Sequence, residues 1–349
     1  MKKFFRFMAV FLAALIGILL TPLVAGRPDM PAMPAAEPYP LVQPVFLEVE
    51  AFWCDDCETD HRPAPAPVVV EHVPFCDDSC ERPFLACNVP IELLQDFLAQ
   101  FGDTVSIYFR NLATGFSFSH YGDRVFFGAS ATKAPFALYI YEKAERGETC
   151  LDSLHTFTAA DYWGGSGFIR HRYSYGETFT QRELLHLMLA PSDNIATRML
   201  RRAHGLEGYR AYMRSIGANA HFVQNITYSY LSANEAGIIM AEAYRYIQSG
   251  GRYSHEFKQN LLSNRYPFII ADYPVASKSG WAESFGGAWH DMAIVYAPSP
   301  YILVILTERY GWTEADFRDF EEISMAFQAF NSWWFGDEAD YAPRTCLSM

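Results

Sequence analysis

Positive charge is scarce in this chain. Of 349 residues, 27 are Lys or Arg against 40 Asp or Glu, a formal net charge of −13. Nucleic acids and anionic bilayer surfaces both select for a basic patch, so this balance argues against either as a partner. The ten histidines are scattered, with no His-x-x-x-His spacing of the kind that puts two ligands on one helix face. His171, His186, His221 and His290 therefore suggest no catalytic metal, and no cofactor is expected. No internal repeat is evident, and little of the chain is low-complexity. Hydrophobic residues make up 50% of it, enough for a sizeable core in one large domain or two small ones.

The first 26 residues, MKKFFRFMAVFLAALIGILLTPLVAG, read as an export signal. Lys2, Lys3 and Arg6 form a positive start, an apolar run follows from Phe7 to Leu20, and Pro22, Ala25 and Gly26 end it. Cleavage and retention as an anchor both fit, because the run reaches nearly spanning length only when it is extended to Ala25. In either case the rest of the chain is expected outside the cytoplasm, secreted or anchored at the cell envelope. Residues 27–89 read as a tether. Between Arg27 and Pro90 lie 12 of the 20 prolines, which remove backbone donors and favour extended, solvated chain. The same stretch holds Cys54, Cys57, Cys76, Cys80 and Cys87. With His61 and His72 these allow a zinc site, but an oxidising compartment makes disulfides the more natural reading.

A folded domain is expected over 90–335, followed by a tail at 336–349. IELLQDFLAQFG after Pro90 has helical spacing, and TVSIYFRNLATGFSFSHYG reads as a hairpin turning on Asn111 and Gly115. Helical patterns follow at SATKAPFALYIYEKAERGE, 180–205, 207–216 and 232–248. HDMAIVYA and YILVILTER then read as strands, and EADFRDFEEISMAFQAFNSWW as a closing helix. Strands at both ends with helices between them imply one antiparallel sheet of about five strands, built from both termini and flanked by helices.

Three short motifs stand in order along this domain: SATK at 130–133, SDN at 192–194 and KSG at 278–280. Each has an ordinary explanation. Ser130 suits a helix N-cap, SDN a turn, and KSG the edge of a hairpin. Their occurrence together, each in a fitting local context, outweighs the three separate explanations. The set resembles Ser-x-x-Lys, Ser-Asp-Asn and Lys-Thr-Gly of the penicillin-recognising serine acyl-transfer enzymes, in particular their class A β-lactamase-like branch. The resemblance covers roughly residues 90–335, including GGSG at 164–167, LLHLMLAPSDNIATRML around the second motif and HDMAIVYA after the third.

The resemblance implies an α+β β-lactamase/transpeptidase-like fold with an all-helical subdomain, and an acyl-enzyme mechanism. A serine hydroxyl needs an adjacent base, and Ser130 and Lys133, three apart at a helix start, share a face. Burial and a like charge from Lys278 would lower the Lys133 pKa and make it a base. Ser192 would relay a proton to the leaving nitrogen, and Asn194 would hold the acyl side chain of the substrate. Lys278 and Ser279 would bind its carboxylate. The resemblance further implies an oxyanion hole made by the N–H groups of Ser130 and Trp281, with Gly280 permitting close backbone approach.

One expected residue is missing. Class A enzymes carry a glutamate in a loop after the second motif, and that glutamate serves deacylation. Here the segment GANAHFVQNITYSYL, residues 217–231, contains no Asp or Glu. Glu235, inside SANEAG, fits a capping carboxylate instead. The substrate is therefore either a β-lactam or a D-alanyl-D-alanine peptide, with slow deacylation favouring a penicillin-binding protein. A sensor acylated once, or a structural envelope protein stapled by its cysteines, stands as a non-enzymatic alternative. Tyr162 and Trp163 fit a wall of the substrate cleft or the core equally well. His290 and Asp291 fit sheet architecture better than a charge relay.

Overall fold

A turn on Asn111 folds the chain back soon after the first helix of the described residues. The computed structural model describes residues 89–218, 229–282, 287–308 and 314–335, all within one unit spanning 61–349. Helix α1 (Val89–Ala99) leads into β1 (Val105–Asn111) and β2 (Ser117–His120). Oδ1 of Asn111 accepts from the N–H groups of Ala113 and Thr114 and from the Thr114 hydroxyl. This is the self-capping by which Asn initiates turns, and it forms the expected hairpin.

Strand β3 (Val125–Phe127) is followed by a 3-10 turn at Ala129–Thr132 and by α2 (Lys133–Glu145). The helical subdomain comes next: β4 (Leu154–Thr156), α3 (Ile169–Arg172), β5 (Thr178–Thr180), α4 (Gln181–Leu189), α5 (Asn194–His204) and α6 (Glu207–Ser215). The pattern over 180–205 is thus two helices. Pro191 and Ser192, the latter at φ 60, separate them. Asp193 then starts α5 by accepting from the N–H groups of Ile195 and Ala196.

The chain returns through β6 (Tyr230–Ser232), α7 (Ala233–Gln248) and α8 (Ser254–Leu262) to β7 (Val275–Ala282), β8 (Ala288–Val295) and β9 (Tyr301–Thr307), and ends in α9 (Glu314–Phe335). Every residue of β8 and β9 is buried. Burial on both faces explains why these strands read as unbroken apolar runs rather than alternating ones. The sheet is antiparallel in the order β2-β1-β9-β8-β7, with β9 pairing β1 from Val105↔Thr307 to Asn111↔Tyr301. The five-stranded sheet assembled from both ends of the domain is therefore present. Helix α8 and the three-residue ladders β3–β6 and β4–β5 carry too few periodic residues to be read from the sequence.

One face of the sheet packs on α7, where Ile239 and Met240 join Met292, Ile294, Ile302 and Val304 in the main core. On the other face Phe109 stacks on Phe327 at 5.4 Å and meets Phe330 edge-on at 5.5 Å. Each such buried ring contributes about 1.5–3 kcal/mol through burial. With β8 and β9 clamped from both sides, β7 is an edge strand, packed on the turn at Ala129–Thr132 and on α8. The segments expected to be a signal and a tether, with Cys54, Cys57, Cys76, Cys80 and Cys87, and the tail at 336–349 lie outside the described residues, within which no helix is long and apolar enough to cross a membrane.

Candidate active site

Ser130 lies in the 3-10 turn, and Lys133 is the first residue of α2. The serine caps neither element, because the cap positions are Gly128 and Thr132. The turn is held from below. Gly128 N–H donates to Ser229 O at 2.9 Å, and the His290 ring nitrogen Nε2 lies 2.8 Å from Phe127 O. Nδ1 of His290 accepts from Thr307 N–H at 3.1 Å, so Nε2 carries the proton. Burial pushes the His290 pKa down to about 4. This neutral imidazole pins β8 to the serine-bearing turn and belongs to the sheet architecture. Ala129 sits at φ 43, a conformation costly for a residue with a Cβ and sustained here by the surrounding packing.

Lys133 is 1% exposed. Its Nζ contacts Ser192 O at 2.6 Å, Asn194 Oδ1 at 2.7 Å and Ser192 Oγ at 3.1 Å. Burial holds its pKa well below the usual lysine value. The charge of Lys278 lowers it further, and Asp193 opposes the shift. The three acceptors around Nζ match the three donors of an ammonium, and the burial that depresses the pKa favours the neutral amine, which has two donors and one lone pair.

The SDN segment is a hub. Ser192 and Asp193 are buried, and the Asp193 carboxylate accepts four backbone N–H groups. Oδ1 takes Ile195 and Ala196 at the start of α5; Oδ2 takes Phe168 at 2.6 Å and Ile169 at 2.9 Å. The GGSG loop is thereby laid onto the motif. Gly167, at φ 119, passes so close that a Cβ there would fall 2.2 Å from Asp193 Oδ2. Ser166 Oγ donates to Ser192 O at 2.9 Å, and Asn194 Nδ2 donates to Gly164 O at 2.8 Å. Asn194 therefore bridges Lys133 and the rim of the cleft.

Lys278, Ser279 and Gly280 are buried in β7, next to Trp281. Nζ of Lys278 donates to Ser279 O at 2.8 Å. Burial pushes its pKa down to about 7, opposed by the buried Asp291, whose own pKa burial raises to about 6. Asp291 pairs across the ladder with Ser279 and accepts from the N–H groups of Phe268 and Ile269 at 2.8 and 3.0 Å. Asn264 Nδ2 donates to Ser277 Oγ at 2.8 Å, and its contact with Ser279 Oγ is a longer 3.4 Å. Gly280 shows why the strand carries no side chain there. A Cβ would lie 2.5 Å from Ser130 N and 2.4 Å from Ala131 N. The Ser130 amide and the strand leading into Trp281 thus converge, as two oxyanion donors require.

The structure places Lys133, Ser192 and Asn194 in direct contact, Ser130 against Gly280, and Lys278 close enough to Lys133 to perturb it. Nothing in the sequence alone marks Asp193, Asn264 or Asp291 as holding the site together. Asp193 had a helix-start signal, while Asn264 and Asp291 act only through contacts across the fold. Tyr162 and Trp163 are 51% and 40% exposed, so they belong to the surface and not to the core. Glu235 completes a capping box: Ser232 N–H donates to its Oε2 at 2.8 Å, and Ser232 Oγ accepts from Glu235 N–H at 3.2 Å. The carboxylate-free segment lies largely outside the described residues, at 219–228. Among the described residues no three of His, Cys, Asp and Glu cluster to hold a metal ion.

A family profile described as the β-lactamase enzyme family matches residues 90–325. Solved structures share the fold at low identity. A β-lactamase from Sphaerobacter thermophilus is 20% identical, covers 69% of this chain and 96% of its own, and superposes with a TM-score of 0.60. A PBP-A variant described as an acyl-enzyme complex with penicillin G is 20% identical over 72% of this chain and 98% of its own, at 0.61. A class A variant of the last common ancestor of Gram-negative bacteria is 22% identical over 69% and 97%, at 0.59. Comparison with curated proteins finds no match.

Proposed function

The chain belongs to the β-lactamase enzyme family, and from that premise we propose that it is an exported serine hydrolase whose Ser130 forms an acyl-enzyme with a carboxylate-bearing amide. The observation that carries this reading is the buried Lys133 amine, with three acceptors around Nζ and a depressed pKa. Lys133 takes the Ser130 proton as Oγ attacks the carbonyl carbon. The carbonyl oxygen, now an oxyanion, is received by the N–H groups of Ser130 and Trp281. Collapse re-forms the carbonyl and breaks the C–N bond, and Ser192 passes a proton from Lys133 to the leaving nitrogen. Lys278, with Ser279, holds the substrate carboxylate, and Asn194 orients the acyl amide.

The substrate is a β-lactam or a D-alanyl-D-alanine peptide, and one observation favours the behaviour of a penicillin-binding protein. Residues 217–231 offer no carboxylate, and the nearest one beyond them, Glu235, is committed to its helix cap. Water attack on the acyl-enzyme then has no dedicated base, and the adduct is long-lived. The test is intact-protein mass spectrometry with penicillin G over time, beside Ser130→Ala. A persistent adduct that the variant lacks is the expected result. Rapid return of free enzyme with accumulating hydrolysed penicillin makes the protein a β-lactamase with another water-activating group, and no adduct and no hydrolysis sinks the proposal.

A further inference from the structure

Beside Asn194 lies a segment whose arginines form no ion pair among the described residues. Arg170 Nε donates to the His171 ring at Nε2, 2.8 Å away, and leaves its two terminal nitrogens for other partners. The stretch 162–175 contains Arg170, His171 and Arg172 and no carboxylate, in a chain whose net charge is −13. Its flanking carboxylates are engaged elsewhere. Asp161 is buried against Arg202, at 2.8 Å from Nε, and Glu177 Oε1 accepts from Ser174 N–H at 2.6 Å. Arg170 and Arg198 form no ion pair among the described residues.

Both arginines stand one step from the site. Asn194 Nδ2 donates to Gly164 O, and Nη1 of Arg170 lies 3.8 Å from where a Cβ on Gly164 would be. Arg198 follows Asn194 by four residues on α5 and so shares its face. Its guanidinium sits 4.7 Å over the Trp163 ring, with Nη2 donating to Ala160 O at 3.2 Å. Stacked and tethered in this way, Arg198 is partly ordered before any ligand arrives, with only Nη2 engaged in a hydrogen bond among the described residues. A guanidinium fork matches a carboxylate in a way an ammonium does not.

We propose that Arg170 and Arg198 form an anion subsite at the outer end of the acyl side of the cleft, so that the preferred substrate bears a second carboxylate on its acyl chain. The first carboxylate goes to Lys278 and Ser279, the acyl amide to Asn194, and the chain runs past Gly164 and Trp163 to the two guanidiniums. This inference rests on the proposed roles of Ser130 and Asn194.

The test compares two penicillins that differ only in charge: one acylated with a glutaryl chain and the other with the methyl ester of that chain. Acylation of the full-length protein is followed by intact mass. The free acid is expected to react about three- to tenfold faster at low salt, the scale of one or two exposed ion pairs. The ratio is expected to fall toward one at about 0.5 M NaCl. In R170Q, R198Q and the double variant the ratio should drop stepwise to one. A folding defect slows both compounds and leaves their ratio intact, and the salt series needs no variant. A ratio of one in the unaltered protein, with the ester reacting, overturns the subsite and leaves the proposed function standing. So does a preference that survives the double variant. Failure of both compounds to acylate overturns the two together.

Discussion

Gly280→Ala tests the geometry at its tightest point. The added methyl group would meet Ala131 N at 2.4 Å and Ser130 N at 2.5 Å, where ordinary contact begins near 3.4 Å. Both obstacles are backbone atoms, so no side chain can swing aside. Either β7 or the serine turn must retreat by about 1 Å. Retreat of β7 is resisted by its ladder to β8, paired from Val275↔Val295 to Ala282↔Ala288. Retreat of the turn is resisted by the His290 and Gly128 hydrogen bonds. Overpacking of this kind costs about 1–3 kcal/mol of stability. A displacement of about 1 Å between catalytic groups costs about 10²-fold in rate, or about 2.7 kcal/mol of transition-state stabilisation. Stopped-flow acylation by a chromogenic β-lactam reads the rate, and thermal melting separates it from unfolding. Acylation within threefold of the unaltered protein, with the fold intact, would mean that the Ser130 amide and β7 do not form the oxyanion site.

Four further outcomes are expected. Lys278 holds its proton below about pH 7, so KM for a carboxylate-bearing substrate should rise as pH climbs through that value. A KM flat from pH 6 to 9 would remove Lys278 as the carboxylate's partner. Its depressed pKa also makes its contribution to stability grow as pH rises from about 7 toward the unfolded lysine value, because the unfolded chain binds the extra proton there. Asp193→Ala leaves four backbone N–H groups without their acceptor. At about 1–3 kcal/mol for a buried unsatisfied donor, the loss should exceed about 3 kcal/mol and lower Tm by roughly 6–12 °C; a shift under 2 °C would contradict the clamp. Glu235→Ala should cost about 1 kcal/mol as a lost cap while leaving the lifetime of the acyl-enzyme unchanged. A longer lifetime in that variant, followed by mass spectrometry, would identify Glu235 as the missing deacylation base.

The three motifs and their order were legible in the chain because each depends on local spacing. Ser130 and Lys133 need only one helical turn to share a face, whereas the new helix start at Asp193 is hidden inside what reads as one helical pattern over 180–205. The apolar runs of β8 and β9, the Asn111 turn and the Glu235 cap were legible for the same reason, since hydrophobic burial and capping act within a few residues. What lay beyond reach were the contacts between motifs. The Nζ of Lys133 meets Ser192 and Asn194 across about 60 positions of chain, and Gly280 meets Ser130 across 150. Those approaches are set by the antiparallel register that fixes β7 against β8 and by the packing of α2 on α4, which brings the Ser-Asp-Asn segment that follows α4 against Lys133. Asp291 and Asn264 show the same limit, because nothing near them in sequence marks a role. Local hydrogen bonding and periodicity determined which groups the protein carries. Only the tertiary structure decided which were buried together, and it is that burial which lowers the pKa values of Lys133 and Lys278.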